Sequence, residues 1–189
     1  MEGRRTKPLV RSRVFSLLVL FFVLAPAEMN CAADQLTLGE YQIKAAFLYN
    51  FAKFVEWPPD TFPDPASPIV IGVLGKNVFG DNLEKTLHNK TINNHPVELK
   101  VFRTVAEVTN CHVLFISSSE QGRLAKTLAA LPGANLLTVS EMDGFIAAGG
   151  MINFVIEDDK IHFEINNDAA VKAGLKISSK LLSLSIHKQ

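Results

Sequence analysis

The stretch "GFIAAGGMINFVIEDDKIHFEIN", Gly144 to Asn166, holds two runs of alternating residues joined by Asp158-Asp159 and opened by a glycine pair, Gly149-Gly150. In the first run Ile152, Phe154 and Ile156 point one way, and Asn153, Val155 and Glu157 the other. In the second, Ile161, Phe163 and Ile165 alternate with His162, Glu164 and Asn166. Period 2 makes both runs strands, each with an apolar face toward a core. A connection as short as Asp158-Asp159 makes them an antiparallel hairpin. Gly149-Gly150 precedes a strand and offers no helix N-terminus to an anion, so it reads as a structural turn.

Outside the hairpin the rhythm changes. Thr37 and Glu40 have the spacing of a capping box. Ile43, Phe47, Phe51, Phe54 and Val55 then recur at helical intervals, which predicts a helix from Thr37 to about Val55, stopped by Trp57-Pro58-Pro59. "PIVIGVLG" (68–75), "HVLFIS" (112–117) and "NLLTVS" (135–140) read as buried strands. Val97, Leu99 and Val101 alternate with Glu98 and Lys100, a strand with a more polar face. Helices are expected at Phe79–Leu87, weakly near Val105, at Leu124–Leu131 and at Asp168–Ala173, the last ended by Gly174. A final amphipathic run ends at His187. Strands alternating with helices predict parallel strands joined by helical crossovers. The fold class is therefore α/β: three layers, a mostly parallel sheet and an antiparallel C-terminal hairpin.

The chain opens with Arg4, Arg5, Lys7, Arg11 and Arg13, then an apolar run from Val14 to Leu24, then Ala25-Pro26-Ala27. This is the pattern of a secretory signal peptide, and the run is shorter than the ~20 residues a membrane-spanning helix needs. Cleavage is expected after Ala27, with Ala33 the alternative, and the exported chain is expected in the periplasm. Without residues 1–27 the 189-residue chain keeps 14 basic against 18 acidic side chains. That balance gives no reason to expect nucleic acid as a partner. Two cysteines, Cys31 and Cys111, make no disulfide framework.

Motifs for catalysis are lacking. "GVLGKNVFG" (72–80) matches neither phosphate-binding glycine pattern. His88, His95, His112, His162 and His187 show no metal-ligand spacing, and no G-x-S-x-G is present. His162 and Glu164 share a strand face, as an acid and base would, and as a solvated face would. Neither an enzyme nor a cofactor is expected.

"YQIKAAFLYNFAKFVEWP" (41–58), "IVIGVLG" (69–75), "CHVLFIS" (111–117), the Gly144–Asn166 stretch and "AGLKISSKLLSLS" (173–185) occur in that order. The ordered set resembles the YfiR family of exported bacterial proteins. The resemblance implies one α/β domain over residues 34–189 and a periplasmic signalling role. It further implies repression of an inner-membrane diguanylate cyclase through its periplasmic sensory domain, release by an OmpA-like outer-membrane lipoprotein, and homodimers. The best-known members carry strand-crosslinking cysteine pairs. Here Cys111 falls opposite Ile71 or Gly72 and is expected to be free, with no disulfide.

Partner or ligand contacts are expected from the polar faces of the hairpin and of the segment after it: Asn153, His162, Glu164, Asn166, Lys176 and Ser178. A second reading is a small-molecule sensor with a cleft at the C-terminal ends of the parallel strands, near Gly75, Lys76, Asn77, Ser117 and Ser118. An envelope hydrolase is the third.

Overall fold

The computed structural model describes residues 29–64 and 66–186. The signal-peptide reading and His187 therefore lie outside the described residues, as does the side chain of Cys31. By compactness the chain divides after Leu36, and the unit that begins at Thr37 holds both sheets and the two cavities described below. In chain order the elements are α1 (Met29–Phe54), β1 (Val55–Glu56), β2 (Ile69–Leu74), α2 (Asn82–Leu87), β3 (Thr91–Ile92), β4 (His95–Phe102) and β5 (Val113–Ile116). Then come α3 (Leu124–Ala130), β6 (Leu137–Ser140), β7 (Ile152–Glu157), β8 (Lys160–Ile165), α4 (Asn167–Lys172), β9 (Lys176–Ile177) and α5 (Ser179–Leu182).

Seven strands form one sheet in the order β3-β4-β2-β5-β6-β7-β8. The five from β4 to β7 run parallel, and β3 and β8 close the two edges antiparallel. A separate antiparallel pair joins β1 to β9. Both faces of the central strands are buried, as parallel strands with crossovers on each side require. Ile69, Ile71 and Val73 of β2, with Val113 and Phe115 of β5, pack against Ala45, Leu48 and Phe51 of α1. On the opposite face Leu74, Leu114 and Ile116 pack with Leu124 and Phe145. The α/β, three-layer expectation is met.

The hairpin forms as expected, with Ile152 opposite Ile165 and Glu157 opposite Lys160. Asp158 and Asp159 both adopt positive φ (50° and 58°), the geometry that matches a two-residue turn to the twist of its strands. Gly149-Gly150 closes a turn upstream of it. The Gly150 N–H donates to the Phe145 carbonyl (2.9 Å) and the Gly149 N–H to that of Ile146 (3.0 Å), with Gly149 at φ 99°. These two bonds are the pattern that caps a helical turn through a left-handed residue. Gly150 is packed as well: a Cβ there would lie 2.2 Å from the Phe145 ring. The pair shapes the chain, as its place before a strand suggests.

One helix boundary is corrected. α1 runs from Met29, so Thr37 lies inside it and does not cap it. Glu40 turns instead toward Lys44, one helical turn on. Asn166 and Ser178 each accept a backbone N–H at the start of α4 and α5, and Ser117 accepts the Ser119 N–H at the start of a 3-10 turn (Ser118–Arg123) that leads into α3.

Candidate binding site

Helical spacing brings Glu40, Tyr41 and Lys44 to one region of α1, where they meet Glu141, the residue after β6. Lys44 is 2 % exposed. Its ammonium donates to Glu40 Oε1 and, at 2.5 Å, to Glu141 Oε2. The Tyr41 hydroxyl donates to Glu141 Oε1 at 3.0 Å. The ammonium also lies over the rings of Tyr41 (5.0 Å) and Phe154 (5.8 Å). A buried charge costs several kcal/mol unless it is paired and hydrogen-bonded, and two carboxylates with two ring faces supply that here. Burial, and next the Glu141 charge, push the Tyr41 phenol well above its ordinary range.

Beside this cluster lies a cavity of about 910 Å3. It passes the C-terminal end of β6, from Glu40, Tyr41 and Lys44 to the 143–147 turn and on to β7 and β8. Its charged walls, among the described residues, are Glu40, Glu141, Asp143 and Glu164 against Lys44 alone. Asn153 also lines it, directly opposite Glu164 across the hairpin. Asn153 is 7 % exposed, and its Oδ1 is buried without a hydrogen-bond partner among the described residues.

The six residues expected from the hairpin and the segment after it separate. Asn153 and Glu164 reach the cavity. His162 stands opposite Val155, and the cavity walls do not include it. Asn166 caps α4, its Oδ1 accepting from Ala169 N–H at 3.0 Å and its own N–H donating to the Met151 carbonyl at 2.7 Å. Ser178 caps α5 by accepting from Leu181 N–H, 3.3 Å away. Lys176 pairs with Glu56 at 2.8 Å, across the β1–β9 pair.

The crevice between the ends of β2 and β5 is filled by its own side chains. A Cβ on Gly75, at φ 89°, would lie 2.4 Å from Ser119 Oγ. That oxygen accepts the Lys76 N–H at 3.0 Å. Asn77 accepts the Phe79 N–H and donates to the Gly80 carbonyl. Ser117 is fully buried. Beneath them Glu120 is held by a two-pronged pair with Arg123, both contacts at 2.7 Å, and that guanidinium keeps its carboxyl below the usual range. Of the five residues expected there, Ser118 alone lines the large cavity. The open space lies one strand further on, past β6.

A second cavity, of about 400 Å3, borders Phe62, Cys111 and His112. The His112 ring stacks on Phe62 at 4.9 Å, and its Nδ1 accepts the Val70 N–H at 3.0 Å. An accepting nitrogen carries no proton, and burial, with His95 and Lys100 nearby, lowers this imidazole to about 4. It is a structural acceptor. The Cys111 thiol is free and donates to the Val113 carbonyl (3.3 Å); burial pushes it up to about 12. Its sulfur lies against Gly72, 2.7 Å from where a Cβ would stand.

Sequence reasoning missed Glu40, Tyr41, Lys44 and Glu141 as a group. The i, i+4 spacing of Glu40 and Lys44 was a visible signal of pairing, whereas nothing local marks Glu141 as their partner. Among the described residues, no helix is long and apolar enough to cross a membrane.

A search of curated proteins found no match. A sequence model of the YfiR/HmsC-like family matches residues 41–186, which spans α1 from Tyr41, both sheets and α5. The chain belongs to the YfiR/HmsC-like family.

Proposed function

We propose that the protein acts in the periplasm as a regulatory binding protein that represses an inner-membrane diguanylate cyclase through the cyclase's periplasmic domain, so lowering cyclic-di-GMP. The observation that carries this reading is the family match over residues 41–186. The positive, apolar and A-x-A pattern of residues 4–27 supports export. No metal-ligand spacing or nucleophile motif argues for catalysis, and binding is the simpler role. Repression requires the protein to favour the cyclase's inactive state, since only differential affinity shifts a conformational equilibrium. The polar face of the hairpin, His162 and Glu164, is the surface we assign to the partner. An OmpA-like outer-membrane lipoprotein is the proposed competitor, and the repressor is taken to act as a homodimer.

The test is in-cell photocrosslinking from position 162, followed by envelope fractionation and peptide mapping. The expected product joins the protein to a membrane protein that carries a cyclase domain. Crosslinks solely to soluble periplasmic proteins would contradict the proposal. A second reading, a small-molecule sensor, is favoured by one observation: the cavity with the unpartnered Asn153 Oδ1 in its wall.

A further inference from the structure

We propose that the smaller cavity, beside Phe62 and His112, binds a small organic carboxylate whose oxygens accept the His112 Nε2–H, whether or not a cyclase is the partner. This cavity lies at the N-terminal ends of β2, β5 and β6, where Val70, His112 and Asn135 are among its walls. Its volume of about 400 Å3 is in the range of small-molecule pockets. Pro63, Pro68, Val108 and Pro132 give it apolar surface for the body of a ligand.

His112 supplies the polar contact. The ring is more than nine-tenths buried, and its Nδ1 is spent on the Val70 N–H. A neutral imidazole that accepts at Nδ1 carries its proton on Nε2. That N–H has no hydrogen-bond partner among the described residues. A buried donor left without an acceptor is costly, and native proteins rarely keep one without a use.

Two further groups make the same demand. Thr61 Oγ1, in the cavity wall, and Trp57 Nε1, whose ring stands 6.2 Å from that of His112, are both buried without a partner. An indole N–H, a hydroxyl and the Nε2–H are all donors, and a carboxylate is an acceptor alone. An ammonium ligand would bring donors only and satisfy neither N–H.

The local field favours an anion as well. After burial itself, the charges that hold the His112 ring neutral are those of His95 and Lys100. Asp60 also lines the cavity, at an exposed position, but is not among the charges that act on the ring. Lys100, another wall residue, makes no ion pair with a described residue. Positive charge that repels a proton from His112 attracts a carboxylate to the same place.

The probe is benzoate, titrated into the exported full chain and followed by calorimetry and NMR, with benzylamine as its counterpart of similar size and opposite charge. Benzoate is expected to bind with Kd of about 1 mM or tighter, to weaken as salt is raised, and to shift the His112 ring signals and the amides of residues 61 and 110–112. His112→Asn keeps an acceptor for the Val70 N–H but deletes the Nε2–H, and is expected to weaken benzoate about tenfold, the worth of a hydrogen bond to a charged group. Lys100→Gln, at an exposed position, leaves the core untouched and is expected to weaken it severalfold. Absence of benzoate binding, equal affinity for benzylamine, His112 ring signals unmoved at saturation, or affinity unchanged in Lys100→Gln would overturn the proposal.

Discussion

Lys44→Met removes the only cation among the described walls of the cavity past β6 while keeping the length of the side chain. The ammonium it deletes bonds Glu40 and Glu141, whose side chains are 25 % and 12 % exposed. Breaking a buried pair from one side costs ~3–5 kcal/mol, most of it the penalty of the charge left behind. Glu40 is open enough for water to recover part of its share, so the expected loss is about 3 kcal/mol, at the low end of that range. For a chain of this size that lowers the melting temperature by about 6–12 °C. Urea unfolding followed through Trp57, the single tryptophan, measures it, because this ring packs against Phe62 and His112 in the core unit. Adding Glu141→Gln to Lys44→Met removes the more buried of the stranded carboxylates and is expected to restore at least about 1 kcal/mol. A loss below about 1 kcal/mol in the single variant, or a double variant no more stable than it, would refute the view that Lys44 neutralises two carboxylates.

His112 is held neutral at about 4, against an ordinary 6.5. Between those values the unfolded chain binds a proton that the folded one refuses, so stability falls as pH drops from 6.5 toward 4, by up to about 3 kcal/mol. An NMR titration of the His112 ring with a midpoint near 6.5 would contradict this. Gly150→Ala places a methyl into the Phe145 ring and is expected to cost ~1–3 kcal/mol in thermal or urea unfolding; a neutral result would mean the turn yields. Native Cys111 is expected to react slowly with thiol reagents and quickly in denaturant, since burial keeps it protonated up to about 12. Equal rates in the two states would show the thiol accessible.

The hairpin was legible because its information is local: period 2, two aspartates that tolerate positive φ, and glycine ahead of it. The buried strands were legible for a similar reason, as short apolar runs between turn residues. Ile156 departs from its pattern, 56 % exposed although it alternates with core residues. β6 pairs with β7 only at Ile152 and Asn153, so the outer half of β7 runs past its parallel neighbour into solvent. The capping-box pattern at Thr37 misled because it registers a local fit and cannot see the helix continuing upstream. β1, β3 and β9 are two residues each, too short to leave a period.

The cavity past β6 was the least legible feature. Lys44 and Glu141 stand 97 residues apart, and such a contact leaves no spacing signature. The switch point between β2 and β5 is the usual place for a ligand in an open α/β sheet. Here Ser119 packs onto Gly75 and occupies it, a matter of side-chain contact that strand order does not reveal. Asn153 and Glu164 were named from strand alternation, which gives the face but not what lies across from it.

The cyclase-repressor reading is tested most closely by cyclic-di-GMP measured by mass spectrometry in three strains. One lacks the gene, one carries it with its leader, and one carries it without residues 1–27. Repression from the periplasm requires a rise on deletion, a return to the starting level with the exported form, and no return with the leaderless form. Cyclic-di-GMP unchanged by deletion, or restored equally by the leaderless chain, would rule that reading out.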